Sequence, residues 1–135
     1  MKSVTFIASS PLDLQAIADA FKGIAAKTFI ESEPPAVTVQ EGRLEGWFSL
    51  HSFPLESSDF EAEEIASLRA IIPEPFCYDV MFRTASDLNR LIAAIDPPEP
   101  FLVINIPGLQ LSLPEIRRQI AARKDDWFFI SAASS

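Results

Sequence analysis

The sequence predicts a single α+β domain, with a mixed, mostly antiparallel sheet of about five strands and about four helices packed on it. Short apolar runs of strand length alternate with helix-start signals along the chain. Residues 77–106 read as a strand, an amphipathic helix and a buried second strand. The length of 135 residues fits one domain. We assign residues 1–130 to this domain and expect residues 131–135 to be a disordered C-terminal tail.

The first half of the chain supplies a strand, a helix and a hairpin. Residues 4–8 form the first predicted strand, and the second element is a helix capped by Ser10, with Asp13 at its third position. Residues 28–30 favour a short strand. Alternating residues from Val37 to His51, interrupted near Gly42, predict a β-hairpin.

The second half repeats a Ser/Thr cap before each helix. Ser58, Thr84 and Ser112 are each followed three residues later by an acidic residue and then by an apolar stripe. Residues 101–106 are the most apolar strand, and residues 127–130 (WFFI) predict a final strand or a docked aromatic tail. The predicted order of elements is β-α-β-β-α-β-α-β-α-β.

The net charge limits the classes of partner that we expect for this chain. The formal net charge is −8 at pH 7, and such a field repels nucleic acid and anionic membranes while attracting a basic protein. A single cysteine and the lack of a long apolar run near the N-terminus favour a reduced, cytoplasmic location. We therefore expect a protein partner with a basic surface, and the sequence leaves a homodimer open.

His51 and Cys77 are the only members of their residue types. His51 is a candidate general base with Glu45 or Asp79 as orienting carboxylate, although a strand-end polar residue is the simpler interpretation. Cys77 lies between aromatic residues, where burial raises a thiol pKa and disfavours a nucleophile. A pairing of Cys77 with His51 stays open at this point. No residue is assigned as catalytic.

No metal or cofactor is expected from the sequence. One His and one Cys cannot supply a usual zinc site, and no EF-hand spacing is present. The four glycines do not form a phosphate-binding loop, which argues against dinucleotide and P-loop binding. A non-enzymatic role fits this lack of motifs.

The acidic stretch at residues 56–64 is predicted as a protein-binding surface, because its carboxylates lie just after several aromatic residues in the sequence. The same carboxylates also suit the positive end of a helix dipole, which is the structural alternative. The predicted binding residues are Trp47, Glu56, Asp59, Glu61, Glu63 and Glu64.

The sequence leaves three hypotheses for the function. The first is a non-enzymatic acidic protein-binding module, such as a small inhibitor or immunity-type protein that binds a basic partner. The alternative is a small-molecule-binding or regulatory module acting as a dimer, suggested by an echo between residues 6–21 and 82–95. The third is an enzyme that uses His51 or a carboxylate pair.

Overall fold

The computed structural model describes residues 2–25, 27–40, 42, 46–124 and 126–129. These residues form one α+β domain with four α-helices, a short 3₁₀-helix and seven strands. In chain order the elements are β1 (Lys2–Ala8), α1 (Leu14–Ala20), β2 (Lys27–Ser32), β3 (Pro35–Gln40), β4 (Trp47–Phe53), the 3₁₀-helix (Leu55–Ser57), α2 (Ala62–Ile71), β5 (Phe76–Phe82), α3 (Ala85–Ala94), β6 (Phe101–Ile104), β7 (Gln110–Ser112) and α4 (Leu113–Ala121).

The seven strands form one sheet in the order β2-β3-β4-β5-β1-β6-β7. Every neighbouring pair in this order is antiparallel. β5 and β6 both flank β1, so the strand–helix–strand unit of residues 77–106 encloses the N-terminal strand instead of forming adjacent parallel strands. The expected sheet is confirmed, with more strands than the predicted five.

Helices α1, α3 and α4 cover one face of the sheet, which we call the helical face. Alternate side chains of β5 (Tyr78, Val80 and Phe82) point to it and pack in one apolar cluster with these helices. Burial of this continuous apolar surface is the main stabilising term of the fold.

The opposite face, which we call the open face, is covered only in part. α2 and the 3₁₀-helix pack over one end of it through Leu55, Leu68 and Ile72, which contact Ile7 and Cys77 of the sheet. The remaining part of the face is made of polar and half-buried side chains from β1, β4 and β5. The candidate site lies on the part of the open face that α2 does not cover.

The C-terminal aromatic run is a docked segment and not a strand. Trp127 and Phe128 are consecutive and both buried, which an alternating strand at a sheet surface would not allow. The Asn105 amide donates to the Trp127 carbonyl at 3.0 Å, and the Trp127 indole N–H donates to Asn89 Oδ1 at 2.8 Å. The Ile106 N–H donates to the Phe128 carbonyl. The docked-tail alternative is therefore the right one, while residue 130 and the predicted tail at 131–135 lie outside the described residues.

Two of the four predicted helix caps are confirmed. The Thr84 hydroxyl accepts from the Asp87 N–H, and Ser112 forms a reciprocal capping box with Glu115. Such caps satisfy N–H groups that have no partner within the helix.

The other two caps are wrong by three residues. Asp13, not Ser10, caps α1 by accepting from the Ala16 N–H. Glu61, not Ser58, precedes α2, because the Ser58 hydroxyl instead donates to the Leu55 carbonyl and closes the 3₁₀ turn. The shared Ser/Thr cap behind the proposed echo of two half-units is consequently absent from α1.

Strand lengths also depart from the prediction. The predicted short strand at residues 28–30 forms the centre of β2, which extends over six residues and adds a strand to the predicted order. β7 was not predicted, since its three residues are too few to give a periodic signal. Of the predicted hairpin turn at residues 41–43, residues 41 and 43 lie outside the described residues, as do residues 44 and 45 at the start of the predicted return strand.

Candidate functional site

Register brings three polar side chains into one row across the open face. His51 of β4 lies directly opposite Asp79 of β5, and Asp79 lies directly opposite Thr5 of β1. Directly opposed residues have Cβ atoms about 5 Å apart and point to the same face. The three side chains thus form the floor of a polar strip in the middle of the sheet.

The chain that follows β4 builds a wall along this strip. Residues 57–60 pass over the sheet before α2 begins, and a cleft of about 470 Å³ opens between them and the strands. Two aromatic rings and several hydroxyl groups surround the carboxylates. The cleft is lined by Ser3, Thr5, His51, Ser52, Phe53, Ser57, Ser58, Asp59, Phe60 and Asp79.

Asp79 is the half-buried carboxylate of this cleft. Burial raises the pKa of its carboxyl group above the ordinary value of 3.8, and the neighbouring His51 acts in the opposite direction. The rise follows from the cost of holding a charge away from water. A carboxylate in this condition gains more from a bound cation than a fully hydrated one does.

The predicted binding residues divide into two groups. Asp59 lines the cleft, and Glu61, Glu63 and Glu64 follow it as exposed residues at the start of α2. Glu56 is exposed on the 3₁₀-helix and forms an ion pair with Arg69 of α2. The acidic stretch is therefore continuous with one wall of the cleft.

Trp47 does not lie with the acidic residues. It is the first residue of β4, while the 3₁₀-helix follows the last residue, Phe53. Six strand steps separate the two ends, a distance of about 20 Å. The structure places Trp47 on the open face but at the far end of the strand from Glu56.

Cys77 is placed as an inert core residue. It is 2% exposed, and desolvation raises its pKa to about 11, so the thiol is protonated at neutral pH. Cys77 lies opposite Phe53 of β4, two residues from His51 along that strand, and packs under α2. This arrangement removes the nucleophile from the Cys77–His51 pairing.

One of the two carboxylates predicted to orient His51 lies beside it in the sheet. Asp79 is its cross-strand neighbour, while Glu45 lies outside the described residues. His51 is exposed, and within the described ranges no hydrogen bond reaches its side chain. The structure thus places the candidate orienting carboxylate of Asp79 across from His51, and the general-base role stays a prediction.

A second cleft adjoins the first. It has a volume of about 640 Å³, shares Ser3, Thr5, Asp59 and Phe60 with its neighbour, and extends toward residues 104–108 and Phe129. Lys2 stands at this end, with its ammonium 5.4 Å from the ring centroids of both Phe128 and Phe129. Lys2 lies opposite Phe82 in the register of β1 and β5, so its side chain belongs to the helical face, while the open face is anionic in the middle.

Sequence reasoning missed the lining hydroxyls, because Ser3 and Thr5 belong to the open face only through the pairing of β1 with β5. In the described residues no three His, Cys, Asp or Glu side chains come together as a metal site. No helix within the described ranges has both the length and the apolarity to cross a membrane.

The fold and cleft define an antiparallel α+β domain with three helices on one sheet face and a polar cleft on the other. No protein-family model, curated protein or solved structure matches this chain significantly.

Proposed function

We propose that the chain is a non-enzymatic, acidic protein-binding module whose open-face cleft takes a basic side chain of a partner protein. The observation that carries this proposal is the half-buried carboxylate of Asp79, which shares a cleft with Asp59. No lysine or arginine lines this cleft among the described residues. The cleft thus combines two carboxylates, and His51 is the basic side chain among the described residues that line it.

A basic side chain suits Asp79 for an electrostatic reason. Its carboxylate is already partly removed from water, so the folded protein has met part of the desolvation cost that a buried ion pair requires. A cation placed beside it favours the ionised form and reverses the rise in pKa. Binding and deprotonation of Asp79 are therefore coupled.

The walls favour a guanidinium over an ammonium group. Phe53 and Phe60 present aromatic rings, and an arginine side chain can stack on a ring while its planar fork donates to carboxylates and hydroxyls. Lysine presents a compact charge with three donors and gains less from such walls. We expect an arginine of the partner to enter the cleft.

The surrounding charge supports association with a basic protein. Glu61, Glu63 and Glu64 extend the negative surface beyond the cleft, in a chain of net charge −8. Complementary fields raise association rates and are screened by salt. A small inhibitor or immunity-type protein that masks a basic partner is the specific role that fits these properties.

A second function is favoured by the size of the cleft. Volumes of about 300–1,000 Å³ are typical of small-molecule sites, and the cleft of about 470 Å³ lies in this range. The same carboxylates would then select a small cationic molecule that carries a guanidinium or amine. This alternative uses the same residues and differs in the partner.

Calorimetric titration with matched peptides separates these functions. The probes are an Arg-Gly repeat peptide, a Lys-Gly repeat, a Glu-Gly repeat and free arginine. We expect the Arg-Gly peptide to bind most tightly, with affinity that falls as salt rises. Equal binding of free arginine would favour the small-molecule function. No heat with either basic peptide would contradict the proposed cleft.

Asp79→Asn is the informative variant, and Asp96→Asn is its control. Asp79→Asn removes the charge while keeping the shape, and we expect at least about ten-fold weaker peptide binding. Asp96 is exposed in the loop between α3 and β6, so Asp96→Asn changes net charge equally without touching the cleft. Equal weakening by both variants would show that net charge alone drives binding.

A further inference from the structure

The sheet has two ends of different kinds. β7 is a three-residue strand that runs directly into α4, so its end of the sheet is short. β2 at the other end is six residues long and pairs with β3 on one side. Long edge strands present a row of backbone donors and acceptors to which another strand can bind.

The β2 edge also carries exposed apolar side chains. Phe29 is 52% exposed and Ile30 is 44% exposed, on opposite faces of the strand. Natural edges are usually protected by charges, prolines or bulges at such positions. Here the two central residues of the strand are apolar, and the charges of Lys27 and Glu31 stand two residues to either side of Phe29.

The spacing of these charges selects one partner strand. When two antiparallel copies of β2 pair about a two-fold axis at Phe29, each Lys27 lies opposite the Glu31 of the other copy. Phe29 then lies opposite its own equivalent, and Thr28 lies opposite Ile30. Opposite charges and aromatic residues are the cross-strand pairs that stabilise antiparallel strands.

Neighbouring registers lose this match. A two-fold axis at Thr28 places Lys27 opposite Phe29, and an axis at Ile30 places Phe29 opposite Glu31. Registers shifted by one residue between the copies would set open-face side chains against helical-face side chains, because the period of a strand is two. The Phe29-centred register alone pairs both charges and both rings.

We propose that β2 is a homodimer interface, at which two copies of the chain pair antiparallel about Phe29 and join their sheets into one. Such an isologous contact closes on itself and leaves no further β2 edge for growth. The cleft lies on β4, β5 and β1, and β3 separates these strands from β2. The dimer therefore leaves the cleft open and stands or falls independently of the proposed function.

Charge reversal with rescue tests the register. Sedimentation equilibrium of the full chain should give a mass twice the 14.9 kDa of one copy. Lys27→Glu and Glu31→Lys each create two like-charge pairs, and each should raise the dimer dissociation constant about ten-fold or more. The double variant restores both attractions and should dimerise like the parent chain. Lys124→Glu, an exposed residue after α4, controls for net charge.

Three results would overturn the proposal: a parent chain that stays monomeric up to ~100 µM, single variants that dimerise like the parent, or a double variant that dimerises no better than the single ones. Circular dichroism of each variant establishes that the fold is intact, so that loss of the dimer is not loss of structure.

Cysteine crosslinking gives a second, geometric readout. Phe29→Cys places two thiols directly opposite each other across the two-fold axis, with Cβ atoms about 5 Å apart, and should form a disulfide-linked dimer under mild oxidation. Ser32→Cys is the control, since its equivalent lies about 20 Å away in this register. Cys77 is buried and contributes no background. Equal crosslinking of both variants would contradict the register.

Discussion

The two faces of the sheet use neighbouring residues of the same strands for different purposes. In β5, Val80 and Phe82 are fully buried under the helices, while Asp79 and Met81, which alternate with them, are half-buried on the open face. The helical face is sealed by three helices and holds the fold together. The open face is covered at one end and keeps polar groups accessible at the other. Stability and binding are thus separated by the two-residue period of a strand.

The largest effect is expected from breaking the helical face next to an open-face control. Phe82→Ala should lower the free energy of unfolding by about 4 kcal/mol, because it leaves a cavity beside the Phe128 ring. Met81→Ala, one residue earlier and half-buried, should cost about 1 kcal/mol. Urea denaturation measures both values. Equal losses would show that the two faces contribute alike.

The next effect concerns the docked C-terminal segment. Asn105→Ala removes the donor to the Trp127 carbonyl and the acceptor of the Leu109 N–H, at a residue that is 3% exposed. Leaving such groups without partners should lower the free energy of unfolding by about 2 kcal/mol. Gln110→Ala, exposed on β7, is the control in the same denaturation experiment. A variant as stable as this control would show that the segment does not depend on Asn105.

A smaller effect is expected at the end of α3. Arg117 of α4 donates to the Ile95 carbonyl at 2.8 Å and to the Ile92 carbonyl at 3.5 Å, so its cation stands at the C-terminus of that helix. Arg117→Ala should lower the free energy of unfolding by about 1 kcal/mol. Arg118→Ala, at the adjacent position, should have a smaller effect, and thermal melts of both variants measure the difference. A larger loss for Arg118→Ala than for Arg117→Ala would contradict the role of Arg117 at the C-terminus of α3.

The smallest stability effect is expected at the centre of the cleft, and it has the opposite sign. The pKa of Asp79 is raised in the folded chain, so the folded state keeps this proton to higher pH than the unfolded state does. Stability from this group is present at low pH and falls as pH rises from the unfolded-state pKa through the folded-state pKa.

Asp79→Asn removes this penalty at neutral pH. Its melting temperature at pH 7 should equal or exceed that of the parent chain by up to about 3 °C, and this advantage should shrink in acid. Thermal melts between pH 3 and pH 7 check the trend. A clear loss of stability at pH 7 would mean that the Asp79 carboxylate is a structural group and not one held for binding.

Local signals in the sequence predicted the elements well where the decisive contacts are local. Thr84 and Ser112 cap their helices with groups three residues away, and the alternation of β5 is visible in its own residues. α1 begins at Leu14 and not directly after Ser10, and the Leu12 N–H, which would lie in the first turn of the predicted helix, donates instead to the Tyr78 hydroxyl, 66 residues away. A sequence pattern cannot show such a contact.

The candidate site was only partly predictable for the same reason. The sequence indicates Asp59 through its acidic surroundings, and Asp79 only as a candidate orienting carboxylate for His51. The row that joins His51, Asp79 and Thr5 depends on the register of three strands that are distant in the chain. Trp47 was grouped with the acidic residues because it is near them in sequence, and the length of β4 separates them.

The most direct measurement is an NMR titration of the isotope-labelled chain with the Arg-Gly peptide. We expect shift changes in the backbone amides of Thr5, His51, Asp59 and Asp79, with little change in α1, α3 and α4. We also expect that Asp79→Asn abolishes these changes at equal peptide concentration. Two results would contradict a binding site on the open face. One is a set of shift changes spread evenly over the amides of acidic residues on both faces, and the other is shift changes that persist in Asp79→Asn.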